Sequence, residues 1–346
     1  MGPWTAKGSP PTGGNEQAQS ATTMEVKFLT DLTCKPPLNW VGGKGAIRDI
    51  VRLVFPPWAN RRAEHFCGGA GILFGTPPKP GVVEVLNDYD SDLVNFYLCV
   101  RDRPFALMDE LKRLPLQSEA EFIQLKRFLS GQEVMPDFSL DELRIAQREL
   151  TPEQFAEIEP ILKGRAELWD IRRAAAFYKV NRYCFNGTMD AFAVKPARIK
   201  RFIPGILAAA KRLENVVITN RDFEESYNLN NKPNALHYFD PPYYKTEGMY
   251  RPAFTMEDHR RLHDLVPDSE GYVVVSYNDD AFVRNLYCDC YILAFTRQNT
   301  MSQKPGAKFG ELLITNFDPR PIIEIKAQLS MFGDLPGGLQ LVNIPN

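Results

Sequence analysis

The chain has 346 residues, 44% hydrophobic and 24% charged, enough for one large α/β domain with an insertion or for two domains. No run approaches the roughly 20 apolar residues of a membrane span, and the N-terminus lacks the apolar core of a signal peptide. Six cysteines without a C-x-x-C pair, and four histidines, argue against a zinc site or a disulfide framework and fit a reducing cytoplasm.

In chain order, residues 1–23 are rich in Gly, Pro, Ser, Thr, Gln and Ala, and we read 1–27 as a disordered leader. Short apolar runs then predict strands just before Phe66 and at 82–86, 216–219, 237–239, 272–277, 291–295 and 312–317. Amphipathic helix patterns lie at 91–100, 208–213 and 256–265. Strands alternating with helices predict a largely parallel sheet covered on both faces. The interval 101–205 breaks this rhythm. Its patterns at 105–129 and 141–180 are helical, and it falls between the second and third strands, as an inserted domain would. Residues 28–100 and 206–330 then form the main domain. An apolar run at 322–325 precedes a Gly/Pro-rich tail, 331–346.

The net charge of −2 names no polyanionic partner, but its distribution is uneven. Residues 109–160 carry 12 acidic and 6 basic side chains, whereas 163–212 carry 12 basic and 3 acidic. That excess of nine positive charges predicts a phosphate-facing surface. The competing reading pairs these bases with the acidic stretch and gives them only a structural role.

Three motifs carry chemistry. Phe66-Cys67-Gly68-Gly69-Ala70-Gly71 follows a strand, where glycines let a ligand approach the backbone. Asp88 ends the next strand, placed to accept hydrogen bonds from ribose hydroxyls. Together they predict a cofactor containing adenosine, although the spacing is not the G-x-G-x-x-G of dinucleotide enzymes. Trp40-Val41-Gly42-Gly43-Lys44 is not a P-loop, because Leu38 stands where that motif needs glycine and Gly45 where it needs Ser or Thr. Tyr238-Phe239-Asp240-Pro241-Pro242-Tyr243 is the most specific signal. Its prolines stiffen the backbone and remove two donors. The Asp240 carboxylate and Pro241 carbonyl then offer two acceptors beside the aromatic face of Tyr243, a set suited to a planar ring with an exocyclic amino group.

With these motifs the chain resembles the Dam-type family of DNA adenine methyltransferases. The likeness runs through Asn39 to Lys44, the Phe66 loop, Asn87-Asp88, Asn181-Arg182-Tyr183-Cys184-Phe185-Asn186-Gly187 and Asp240-Pro241-Pro242-Tyr243. Segments 273–278 and 311–316 also look like the family's. The resemblance implies a seven-stranded, mostly parallel methyltransferase sheet with an inserted, mainly helical target-recognition domain. It implies S-adenosylmethionine as cofactor, held by Trp40, Gly42, Gly43, Lys44, Phe66, Cys67, Gly68, Gly69, Asp88, Asp222 and Phe223. The catalytic set would be Asp240, Pro241, Pro242 and Tyr243, acting on an adenine flipped out of double-stranded DNA. Arg172, Arg173, Lys179, Arg182 and Asn186 would meet the DNA. A cytoplasmic enzyme of a bacterium or its phage is expected. Asn39 stands where members with a GATC target commonly carry a basic residue, and Thr188-Met189-Asp190 replaces their usual Leu-Tyr-Arg. Residues 131–165 look like an added stretch of the insertion. These departures leave the target sequence open. On the residues alone, transfer to cytosine N4 or to RNA, or an inactive DNA-binding relative, stay as alternatives.

Overall fold

The computed structural model describes residues 32–40, 47–112, 118–132, 139–163, 168–184, 189–193, 199–201, 203–245, 254–298, 308–329 and 339–345. Expectations for the leader 1–27, for Gly42, Gly43 and Lys44, and for Asn186 lie outside them.

Strands β1 (Arg61–Glu64), β2 (Val83–Asp88), β3 (Val216–Asn220), β4 (Ala235–Phe239) and β5 (Tyr272–Asn278) pair in parallel, in the order β3-β2-β1-β4-β5. Beyond β5 come β7 (Lys308–Thr315), β6 (Tyr291–Gln298) and β8 (Gln340–Asn343), each antiparallel to its neighbour. Every strand expected from the apolar runs is present. The expected seven strands become eight among the described residues. β8 comes from the tail and has only four residues, with a half-exposed alternating pattern. Such a segment adopts strand geometry by pairing with the β6 edge, aided by Asn343 Nδ2, which donates to the carbonyls of Cys288 and Cys290. The apolar run at 322–325 is helical, within Arg320–Leu329.

The helices are α1 (Arg48–Leu53), α2 (Gly71–Phe74), α3 (Ser91–Asp102), α4 (Pro104–Lys112), α5 (Glu119–Leu129), α6 (Ser139–Glu149), α7 (Pro152–Leu162), α8 (Ile171–Tyr183), α9 (Ile203–Leu213), α10 (Phe223–Asn230), α11 (Met256–Asp264), α12 (Ala281–Leu286) and α13 (Arg320–Leu329). Those that follow β2, β3 and β5 start the same way. Asp90, Asp222 and Asp280 each end the turn after a strand and accept backbone N–H groups of the next helix. Thr255 and Asp258 form a reciprocal capping box at α11.

β5 is apolar along nearly its whole length because both of its faces are covered. Val273, Val275 and Tyr277 pack with Phe223, Tyr227, Leu262 and Val283 on one face. Val274 packs with Tyr238, Leu313 and Ile323 on the other. A third buried cluster runs from Leu38 and Leu86 through α3 into α4, α5 and α8. Of the helices in the 101–205 interval, α4, α5 and α8 thus continue the packing begun by the sheet, whereas α6 and α7 pack on each other. Phe96 of α3 stacks on Tyr178 of α8 with centroids 5.4 Å apart.

Part of the charge of the basic run has a different use from the one expected. Arg173 is 4% exposed and donates to Asp92 of α3 and to the Phe128 and Leu129 carbonyls at the end of α5. A guanidinium there neutralises the last turn of a helix, where carbonyls lack partners. Lys179 donates to Glu121 in the first turn of α5 at 3.0 Å. Arg212 places two nitrogens on Glu84. The expectation that Arg173 and Lys179 face phosphates is therefore corrected: both clamp α8 onto the core. Arg172 is only partly buried, on the same helix. Arg173→Ala should lower the unfolding free energy by about 3–5 kcal/mol, the cost of stranding one member of a buried pair. Denaturant titration reads this directly, and an unchanged midpoint would contradict the placement.

Candidate active site

Because β1 to β5 are parallel, their carboxyl ends share one edge of the sheet. The chain leaves β1 towards β2 on one side, while β4 lies on the other. A crevice opens at such a switch of direction, and ligands of open α/β sheets bind there. The residues after β1, β2, β3 and β4 are Phe66 to Gly69, Asp88 at the strand end, Asp222-Phe223 and Asp240 to Tyr243. The fold therefore gathers at one rim the sites that the sequence spread over more than 170 residues.

The glycine loop is held from three directions. Gly68 N–H donates to Asp88 Oδ2 at 3.0 Å, and the Tyr97 hydroxyl donates to the Gly68 carbonyl at 2.8 Å. Gly68 has a left-handed backbone, with φ of 45°. Trp40 lies against the loop. A Cβ at Gly68 would sit 2.5 Å from Trp40 Nε1, and one at Gly69 would sit 2.8 Å from Trp40 Cβ. Bare backbone at both positions is what lets the indole approach. Cys67 is buried beneath and donates its N–H to the Asn87 carbonyl at 2.9 Å. Burial raises the Asp88 carboxyl above its usual range, opposed first by the Gly68 and Asp90 N–H groups.

Asn87 ties this loop to the corner after β3. Its side-chain amide donates to the carbonyls of His65 and Arg221, and its Oδ1 accepts from Thr219 and Arg221. At that corner Phe223 stacks on Phe66, with centroids 5.3 Å apart. Arg261 of α11 lies over the Phe223 ring and donates to Asp222, Glu224 and Asp258. Asp222 thus caps α10 and is also one anchor of an arginine clamp.

Across the crevice, Asp240 Oδ1 accepts from the Ser276 hydroxyl at 2.9 Å, which orients the carboxylate. Ser276 Oγ also lies 3.1 Å from the Tyr238 hydroxyl. Pro241 is buried and Pro242 partly so. The Tyr243 hydroxyl donates to Glu311 of β7 at 2.5 Å, which pins the ring beside Asp240. Burial, then the Asp240 and Glu311 charges, push the Tyr243 phenol well above its usual range, so it stays neutral.

Between the two halves sits Glu64, the last residue of β1, paired in register with Tyr238. It is 3% exposed, and its Oε1 is buried without a hydrogen-bond partner among the described residues. Burial pushes its carboxyl up to about 8, against the pull of Arg62. On the opposite face, His65 Nε2 lies 3.0 Å from His237 Nδ1 and His65 Nδ1 lies 2.9 Å from Ser226 Oγ. Burial lowers both imidazoles, His237 to about 4, so this back wall is neutral at pH 7.

Trp40, Phe66 to Gly69, Asp88, Asp222, Phe223 and Asp240 to Tyr243 therefore converge. Arg182 reaches the same rim, donating to Asn39 Oδ1 at 2.9 Å and to the Pro37 carbonyl. Glu64, Tyr97 and Arg261 were not singled out in the sequence, whereas Asn87, Ser276 and Glu311 fell in its family-like segments without a role assigned to them. Of the first three, Glu64 left a signal, a charge at the end of a strand next to the glycine loop.

Comparison with known proteins identifies the family. Residues 40–301 match the model of the D12 class N6 adenine-specific DNA methyltransferases. A type II methyltransferase of Lactococcus lactis subsp. cremoris, M1.LlaDCHI, is 25% identical over 323 residues, covering 85% of this chain and 99% of the relative. The DNA adenine methylase of Haemophilus influenzae is 22% identical, covering 78% and 89%. The DNA N-6-adenine-methyltransferase of Escherichia phage P1 is 26% identical, covering 72% of this chain and 31% of its own length. With a crevice of this make-up and a match over most of its length, the chain belongs to the D12 class of N6 adenine-specific DNA methyltransferases.

Proposed function

We propose that this enzyme binds S-adenosylmethionine in the crevice over β1 and β4 and methylates the N6 of an adenine flipped out of duplex DNA. The observation that carries the reading is Asp240, oriented by Ser276 at the sheet's switch point and flanked by the pinned ring of Tyr243. Flipping is required because an amino group inside the stack is not open to in-line approach, as in other methyltransferases.

The residues present fit the cofactor. Asp88 would take the ribose hydroxyls, Asp222-Phe223 the adenine end, and Trp40 with Phe66, Cys67, Gly68 and Gly69 would line the middle. Glu64 is a buried carboxyl with an oxygen to satisfy, and a cation suits it. Gly42, Gly43 and Lys44 would join them by family resemblance. When bound, the cofactor supplies an electrophilic methyl group on a sulfonium.

The chain's own residues do the rest. The adenine amino nitrogen is a poor nucleophile because its lone pair is delocalised into the ring. Asp240 and the Pro241 carbonyl accept its two N–H groups and favour a pyramidal nitrogen whose lone pair is free to attack. The same acceptors stabilise the positive charge that develops on nitrogen. Tyr243 stacks on the base, and Pro242 keeps the turn stiff. No strong base is needed beforehand, since the proton becomes acidic only after transfer. Alignment of the reactants supplies much of the rate, up to ~7–11 kcal/mol in well-oriented systems. The insertion 101–205 would carry target recognition, with Arg172, Arg182 and Asn186 facing the DNA.

Asp240→Ala should reduce methyl transfer to unmethylated DNA by on the order of 10²-fold or more while cofactor affinity stays near that of the parent chain. Labelled-methyl transfer with nucleoside analysis, alongside calorimetry, measures both, and near-normal turnover would refute the assignment. Glu64 gives a second expectation. With its carboxyl raised to about 8, it is mostly protonated at pH 7. A bound cation favours the ionised form, so cofactor binding at pH 7 should release a proton and tighten as pH rises towards 8. Calorimetry in buffers of different ionisation heat should show this release for the parent chain and lose it in Glu64→Gln. Equal release from both would remove Glu64 from the site.

A further inference from the structure

Trp40 is set on the glycine loop by a segment with little secondary structure of its own, so something else must hold that segment in register. Residues 32–40 form no helix or strand. Cys34 N–H donates to the Phe74 carbonyl at 2.9 Å, and Leu38 is buried in the cluster shared with α3 and α8. The last residue before Trp40 is gripped by one side chain. Asn181 Nδ2 donates to the Asn39 carbonyl at 2.6 Å, and Asn181 Oδ1 accepts the Asn39 N–H at 3.0 Å. One amide thus satisfies both backbone groups of one residue, as a neighbouring strand would.

Asn181 is itself immobile. It is 0% exposed, on a helix whose Phe177, Tyr178, Val180 and Tyr183 are all buried. Arg182 adds contacts to the side chain of Asn39 and the carbonyl of Pro37. A continuous path of contacts runs from α8 through Asn181, the backbone of residue 39 and the Trp40 indole to Gly68, and from Gly68 N–H to Asp88.

We infer that Asn181 is a positioning residue for the cofactor loop, acting through the backbone of residue 39 and the indole of Trp40. The inference rests on the proposed reading that Trp40 and the Phe66 loop border the cofactor. It assigns the start of the Asn181-Arg182 segment a role at the cofactor, not only at the DNA. The physical reason is geometric. Removing both bonds to residue 39 frees the segment next to Trp40, and the indole then no longer presses on bare backbone at Gly68 and Gly69.

The test is a double-mutant cycle on cofactor affinity, read by calorimetry without DNA. Asn181→Ala should weaken S-adenosylmethionine binding by on the order of tenfold. In a Trp40→Ala background the same change should add little, because its route is gone. A loss that adds fully to that of Trp40→Ala, or an unchanged affinity with a lowered melting temperature, would overturn the inference and leave Asn181 a purely structural residue. If Asn181→Ala does not fold, Asn181→Asp serves in the same cycle. It keeps an acceptor for the N–H of residue 39 but sets a second acceptor against its carbonyl, so a loss at least as large, with the same dependence on Trp40, is expected.

A second readout needs no cofactor. In a chain carrying Trp4→Phe, Trp58→Phe and Trp169→Phe, acrylamide quenching of the Trp40 fluorescence should rise with Asn181→Ala. Unchanged quenching would count against the inference. Failure of the parent chain to bind S-adenosylmethionine would instead overturn the proposed function, whatever the quenching shows.

Discussion

Arg212 is 3% exposed, yet its guanidinium is fully engaged by Glu84 and the Thr76 carbonyl, and Arg62 reaches the same carboxylate from β1. A charge withdrawn from water must be matched by a partner or be neutralised. Much of the rest of this molecule follows from that constraint. It explains why α8 lies where it does, with Arg173 on Asp92 and on the end of α5, and Lys179 on Glu121 at its start. It also makes Glu64 conspicuous. Glu121 also keeps one oxygen without a hydrogen bond but is paired with Lys179, whereas Glu64, beside the crevice, has no ion pair among the described residues and is nearly neutralised by burial. A matched charge holds the fold together, whereas a buried carboxyl of this kind suits a ligand.

The crevice is built by a repeated local device on a global frame. Parallel strands bring their carboxyl ends to one edge, and an aspartate closes the turn after β2, β3 and β5 by capping the helix that follows. Those turns are short and rigid, so the side chains they carry are held in place before any ligand arrives. Asn87 then fastens the turn after β1 to the turn after β3, and Arg261 fastens the latter to α11. The two halves of the site are thus cross-braced by side chains that need never touch substrate. Preorganisation of this kind lets hydrogen-bond acceptors stabilise developing charge without reorganising at the moment of reaction.

The sequence by itself determined the elements whose physics is local. Runs such as Tyr272 to Tyr277 read as strands because a strand covered on both faces is apolar along most of its length. Asp240-Pro241-Pro242-Tyr243 and the Phe66 loop were legible because a stiff turn and a bare backbone each need particular residue types. Tertiary structure decided everything that depends on which distant residues meet. Asn181 and Asn39 are 142 positions apart, and Tyr243 and Glu311 are 68 apart. No local pattern announces such pairs. The basic run shows the limit most plainly: its composition was correct, but whether an arginine faces phosphate or Asp92 depends on where α8 packs. β8 is the same case in backbone form, since four residues of modest propensity become a strand only when the edge of β6 is there to pair with them. Residue type and spacing act along the chain, whereas burial and partner choice are set by packing across it.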